Sequence, residues 1–241
     1  MTPVNPDTLS VKLISAGDVL AAPTSTASRV YDDLRQRIVD MTLPPDTTLA
    51  RTDLSNEYEV SQTPIREAMQ RLELDGLVKI FPQSRTIVTR IDIRQLFEAH
   101  FLRIALESEL VRRLAIDKNP DLVTRLKTII QMQEAVVDSP HEVVLFHELD
   151  EAFHQTMFNS AGQPGLYNLA KSKGGHLSRV RRLDLPREGK SRAILKGHIA
   201  ILKAISDGDP EKSQVAIRDH LTGTVARIDL LQKEYPNYFR E

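Results

Sequence analysis

Three histidines and one aspartate stand at spacings that would bring them together on helices. Asp150 and His154 are four residues apart, so on a helix they share one face. His198 and His220 flank the break Asp207-Gly208-Asp209-Pro210, which joins two helical segments as a hairpin. His198 lies nine residues before Asp207, and His220 lies ten after Pro210. At ~1.5 Å of rise per residue, both stand roughly 14 Å from the turn and nearly level with each other. A carboxylate and three imidazoles converging inside a helical bundle form a ligand set for a divalent ion such as Zn²⁺, Ni²⁺ or Mn²⁺. Spacing alone equally allows scattered histidines, satisfied in a core or lying at the surface. His147, seven residues before His154, falls on roughly the same face and competes for the role. His147-Glu148 does not open a zincin motif, because Glu151 stands where the second histidine is needed.

The elements that must position these residues read as helices. From Asp92 onward helical periodicity runs over about 92–117, 121–138, 141–159, 164–183, 191–206 and 209–234. Asn119-Pro120, Ser139-Pro140, Gly162-Gln163-Pro164 and the stretch from Pro186 to Gly189 punctuate it. Short breaks between long helices imply an antiparallel bundle. The composition agrees: 41% hydrophobic and 27% charged residues support a buried core, and aromatics are only 5%, without Trp. Cysteine is absent, which excludes disulfides, Cys-ligated zinc and thiol catalysis. No apolar run reaches the length of a membrane span, and Lys12 and Asp18 interrupt the apolar residues of the N-terminus. A cytoplasmic protein without membrane contact is expected.

The first third of the chain is organised differently. Residues 1–25, with three prolines among Thr, Ser and Ala, read as a flexible arm. From Thr26, Val30, Leu34 and Ile38 recur at helical spacing until Leu43-Pro44-Pro45-Asp46 stops the helix. A short second helix carries Leu54 and Tyr58. A third begins near Ser61 and buries Ile65, Ala68, Met69 and Leu72, with Gly76 placed to end it. Two short strands follow, Leu77 to Phe81 and Thr86 to Val88-Thr89, around Pro82-Gln83-Ser84-Arg85. Three helices and a hairpin are the order of a winged helix-turn-helix over residues 26–90. Its third helix would enter the major groove with Ser61, Gln62, Thr63 and Arg66 turned outward. Residues 28–90 hold nine Lys or Arg against ten Asp or Glu, so positive charge for DNA must be concentrated on one face. An ordinary amphipathic helix with a polar outer face fits the third helix alone equally well.

The stretches Val60-Ser61-Gln62-Thr63-Pro64-Ile65-Arg66-Glu67-Ala68 and Leu72-Glu73-Leu74-Asp75-Gly76-Leu77-Val78 resemble the DNA-binding domain of the GntR family. The resemblance implies that Ser61, Thr63 and Arg66 meet DNA, that Arg85 sits in the wing, and that Arg51 contacts DNA near the start of the second helix. Gln62 stands where the family commonly has Arg, Pro45-Asp46 replaces Pro-Gly, and Arg85 replaces a wing glycine. Residues 92–234, within a helical domain read over 91–241, resemble the FCD effector domain of the FadR-type branch. The matching pieces include Leu102-Arg103-Ile104-Ala105-Leu106-Glu107, Asp150-Glu151-Ala152-Phe153-His154, Gly197-His198 and Asp219-His220-Leu221. That resemblance implies a divalent metal, foremost zinc, on Asp150, His154, His198 and His220, and a small organic acid as effector beside it. Arg103, Arg179 and Arg182, with Arg181 in the same run, would supply charge for a carboxylate. Against this, Arg103 also suits an i, i+4 pair with Glu107, and the arginine run suits a solvated helix end. A homodimer on a palindromic operator follows from the family's mode of binding.

Two other functions fit parts of the pattern: a helical-bundle metalloenzyme, and a DNA-binding protein whose metal is purely structural. The sequence carries no nucleophile-elbow, P-loop or dinucleotide-binding fingerprint.

Overall fold

The computed structural model describes residues 25–82 and 85–240. The expected N-terminal arm lies outside the described residues except for Ser25, as do Gln83 and Ser84.

Helix α1, Thr26–Val39, is capped by the Ser25 hydroxyl, which accepts from the Ser28 amide at 3.1 Å. It buries Val30, Leu34 and Ile38 against α3, Gln62–Leu74, which contributes Ile65, Met69 and Leu72 to the same core. Between them, α2, Arg51–Glu57, anchors through Leu54. Helix α3 ends as its sequence requires. Gly76 adopts φ +73°, and the Leu77 amide reaches back to the Leu72 carbonyl at 2.9 Å. Strand β1, Thr48–Leu49, which the alternation did not reveal, pairs antiparallel with β3, Thr86–Val88, and β3 pairs with β2, Val78–Ile80. The sheet order is β1-β3-β2. A two-residue strand is too short to carry a period-2 signal.

The remainder is helical. Helix α4, Ile93–Asp117, opens on Asp92, whose carboxylate accepts from the Gln95 amide. Next come α5, Pro120–Val136, a single 3-10 turn at Pro140–Glu142, and α6, Val143–Ser160. The segment expected as one helix over 164–183 is two: α7, Pro164–Lys173, and α8, Gly175–Asp184. Two adjacent glycines explain the break. A Cβ on Gly175 would lie 2.6 Å from Leu77, so only glycine lets α8 approach the winged unit there. Helices α9, Lys190–Asp207, and α10, Pro210–Val225, form the expected hairpin, with Gly208 left-handed at φ +69°. The expected final helix also breaks, leaving α11, Ile228–Glu234. At that break Arg227 turns its guanidinium to the buried Asp184 carboxylate, Nε to Oδ1 at 3.1 Å.

Three apolar cores result. One lies within the winged unit, and a second, around Leu126, Phe153, Ile201 and Ile217, fills the bundle. A third joins Ile91 and Leu96 to Leu177, Val180, Leu231 and Phe239. There the chain's end returns to the linker: the Ile91 amide donates to Tyr238 and the Arg240 amide donates to Ile91. Among the described residues no helix is long and apolar enough to cross a membrane.

Candidate functional site

Helices α6, α9 and α10 bring the four sequence-predicted ligands together. One ligand atom each from Asp150, His154, His198 and His220 lies within 4.8 Å of every other. The level placement of His198 and His220 across the hairpin holds, with ring centroids 4.7 Å apart. The Nε2 of His154 faces the Nε2 of His220 at 3.2 Å, and the Nε2 of His198 lies 3.3 Å from Asp150 Oδ1. Metal–nitrogen bonds of ~2.1 Å set neighbouring ligand atoms roughly 3–4 Å apart, so these separations suit a single ion.

Other side chains fix which nitrogen points inward. The Nδ1–H of His154 donates to Glu107 Oε2 at 2.6 Å, and the Nδ1–H of His198 donates to Gln133 Oε1 at 2.8 Å. Both imidazoles therefore present Nε2 lone pairs to the centre. The buried Nε2 of His198 has no hydrogen-bond partner among the described residues, which is costly unless a cation takes the lone pair. Phe153 stacks on His198 at 3.9 Å and locks its ring plane. A Cβ on Gly197 would stand 2.5 Å from His220 Nδ1, so this glycine makes room for the fourth ligand.

Burial and neighbouring charges set the protonation of the cluster. Burial lowers the His198 and His220 pKa values well below the ordinary imidazole value, and the neighbouring histidines lower them further. Both are neutral at pH 7, as ligands must be. Burial alone would raise the Glu107 carboxyl. The Arg103 guanidinium, 2.7 Å away, and His154 outweigh it and hold Glu107 well below the usual carboxylate range. Gln133 and Glu107 were not foreseen as supports. Glu107 was legible only as the partner of Arg103, and nothing in the spacing tied it to His154, 47 residues on.

Two small cavities flank the cluster. Arg103, His154 and Arg181 line both. Arg181 also touches the second oxygen of Asp150. Burial lowers its pKa to about 9, which leaves it charged at neutral pH. His147 lines the second cavity and does not join the four-ligand set; burial, with the Arg181 charge, pushes it down to about 4. Two effector expectations need correction. Arg179 is fully buried and points to the winged unit, donating to the Thr89 carbonyl at 2.6 Å and to His176 Nδ1 at 2.7 Å. Arg182 lines neither cavity. Leu177, Ser178 and Arg181 form the cavity-facing stripe of α8, and Arg182 is rotated about 100° from Arg181.

The residues expected to meet DNA lie on the winged unit. Arg51 opens α2, and Ser61, Gln62, Thr63 and Arg66 begin α3; all five are exposed. The Ser61 hydroxyl makes no capping bond, which leaves it free for a phosphate or base. The α2–α3 turn is fixed by Glu59 at φ +54° and by the Ser55 hydroxyl donating to the Val60 carbonyl. Arg85 is exposed on the wing, 5.8 Å from the Phe81 ring, and Lys79 lies 5.2 Å from the same ring. Lys79 is thus a second cation on the wing, on a strand whose period-2 pattern gives it no functional signal.

The profile of bacterial regulatory proteins of the gntR family matches residues 26–88, and that of the FCD domain matches residues 95–223. The chain belongs to the GntR family. It is a DNA-binding transcriptional regulator of the GntR type with an FCD domain. An HTH-type transcriptional regulator in an unstable DNA locus of Streptomyces ambofaciens is 30% identical over 211 residues, 87% of this chain and 88% of that protein. The HTH-type transcriptional repressor RspR of Escherichia coli is 26% identical over 220 residues, 91% of this chain and 96% of its own length. Among solved structures, E. coli McbR/YncC shares the fold at a TM-score of 0.70 and 19% identity, over 88% of this chain and 99% of that one. A GntR regulator from a Rhodococcus species reaches 0.66 at 21% identity, over 84% and 96%.

Proposed function

We propose that this regulator binds an inverted-repeat operator as a homodimer, and that a small carboxylate-bearing effector beside a divalent ion controls its DNA affinity. The carrying observation is the convergence of Asp150, His154, His198 and His220 within 4.8 Å, next to a cavity that holds Arg103 and Arg181. When bound, the ion, with zinc the first candidate, supplies Lewis-acid positions that the four side chains leave open to a carboxylate. The chain's own residues do the rest. Glu107 and Gln133 orient the imidazoles, Arg103 and Arg181 offer charge to the acid, and Phe153 braces the His198 ring by stacking on it.

Ser61, Gln62, Thr63 and Arg66 read the major groove in this proposal, with Arg51 and Arg85 on the backbone and wing side. One recognition helix reads only a few base pairs, so useful specificity requires a second copy related by a dyad. The test is fluorescence anisotropy on a duplex selected by the protein itself, with sedimentation of the complex. The reading requires two chains per duplex and an affinity that responds to a panel of small organic acids only while zinc is present. One chain per duplex, or no response to any acid in zinc-loaded protein, rejects it.

A further inference from the structure

The cavity that touches Arg103, His154 and Arg181 opens partly to solvent but is narrow, with room of only ≈ 40 Å³. A water needs about 10–15 Å³ on this scale, so a few waters fit and an organic acid does not. An effector enters only if a wall moves. Half of that wall belongs to α7 and α8, through Tyr167, Ala170, Lys171, Leu177, Ser178 and Arg181. The other walls are α4 and α6, held in the centre of the bundle core.

The same two helices hold the winged unit. The Arg35 guanidinium, on α1, donates to the Lys171 carbonyl at the end of α7. Lys173 reaches the Leu74 carbonyl at 3.3 Å and Asp75 at 3.8 Å. On α8, Arg179 donates to the Thr89 carbonyl where the wing returns to the linker, and Gly175 receives Leu77. Both ties are buried, with Arg35 at 7% and Arg179 at 0% exposure. Gly174 and Gly175 separate the helices, so α8 is not a continuous extension of α7.

We infer that the α7–α8 pair is the lever that carries occupation of the cavity to the DNA-binding unit, with Arg35 and Arg179 as its two ties. This deepens the effector reading by naming its route, but it does not depend on which acid binds or on the metal. Pushing α7 outward moves the Lys171 carbonyl and drags α1. Pushing α8 outward moves Arg179 and shifts Thr89 at the base of the wing. Neither arginine faces DNA or the ligand cluster, so both are positioning residues.

The experiment replaces the unknown ligand with a side chain. Ala170→Leu adds three carbons on the α7 face of a cavity too small for them, and Ser178→Ile does the same from α8. Operator affinity is measured by anisotropy on the full chain, with hydrogen exchange of residues 26–90 and zinc content recorded for each variant. Either wedge should change operator affinity at least about fivefold, the low end for coupled sites. In the Arg35→Met and Arg179→Met backgrounds the same wedge should change it less than about twofold. Arg35→Lys, which keeps a donor, should restore part of the response. A folded wedge variant with unaltered affinity and winged-unit exchange overturns the proposal. So does a full response in both Met backgrounds. A wedge response in protein that takes up no zinc keeps the lever while the metal reading fails; a folded, zinc-loaded wedge variant with unaltered affinity discards the lever while the metal reading stands.

Discussion

Two glycines on facing helices give a controlled test of the ligand cluster. Gly197 on α9 and Gly223 on α10 both have helical backbones, and Ala is favoured over Gly by about 1 kcal/mol inside a helix. Around Gly223 nothing approaches a new Cβ within 4 Å, so Gly223→Ala should stabilise the protein by up to ~1 kcal/mol. At Gly197 the same methyl group would lie 2.5 Å from His220 Nδ1 and 3.1 Å from its Cγ. Favourable contacts of this kind sit at about 3.5–4.0 Å, so the imidazole must shift by about 1 Å or rotate away. Overpacking of this kind costs typically ~1–3 kcal/mol, which cancels or exceeds the helical gain. A displaced His220 also leaves the ion with one ligand fewer or poorly aligned. Disturbing even an outer-shell partner typically costs about 10–100-fold in metal affinity, so at least that loss is expected. The assay is zinc competition against a chromophoric chelator, with thermal melts of both variants in EDTA. If Gly197→Ala binds zinc like wild type and gains stability like Gly223→Ala, His220 is not held where the ligand geometry requires.

Three further outcomes are expected. Arg66→Ala should weaken specific operator binding by ~1–3 kcal/mol while the melting curve stays within about 0.5 kcal/mol of wild type, because the side chain is exposed on α3; anisotropy and calorimetry together check this. Glu107→Gln should lower zinc affinity about 10–100-fold, since a neutral amide holds the His154 Nδ1–H less firmly and leaves Arg103 unpaired; isothermal titration measures it. His176 is buried, and burial together with the Arg179 charge pushes it down to about 3. Its folded pKa lies below the unfolded value near ~6.5, so its contribution to stability is fully present above that pH and is lost as pH falls towards the folded value, by ~1.4 kcal/mol per unit. His176→Asn keeps an acceptor for Asp92 and Arg179 but cannot protonate, so its denaturant midpoint should fall less than that of wild type between pH 7 and pH 5.5.

Much of this architecture is written in local signals. Leu34, Ile38, Ile65, Met69 and Leu72 mark the winged core by period alone, and Asn119-Pro120 and Asp209-Pro210 cap helices where the sequence places them. Two members of the ligand cluster share a helix turn and the other two flank one hairpin, so local spacing marks them as candidates, while the resemblance to the FCD domain implies the full ligand set. What escaped the sequence depends on long-range contact. Gly174-Gly175 reads as a weak spot in one helix until Leu77 arrives from the winged unit to require it. Arg179 and Arg181 look alike in the sequence, and only the packing of α8 turns one to the wing and the other to the cavity. Gln133 gives no signal of its own, since an amide on a bundle helix is ordinarily a surface residue. The return of Tyr238 and Arg240 to Ile91 joins segments nearly 150 residues apart, beyond any periodic pattern.

The most direct test of the central claim is elemental analysis of protein purified without chelators, paired with melting curves before and after EDTA. One divalent ion per chain, lost from the His154→Ala and His198→Ala variants, together with a lower melting temperature in EDTA, is the expected result. Wild-type protein that carries no metal, takes up none on addition and melts identically in EDTA would contradict it.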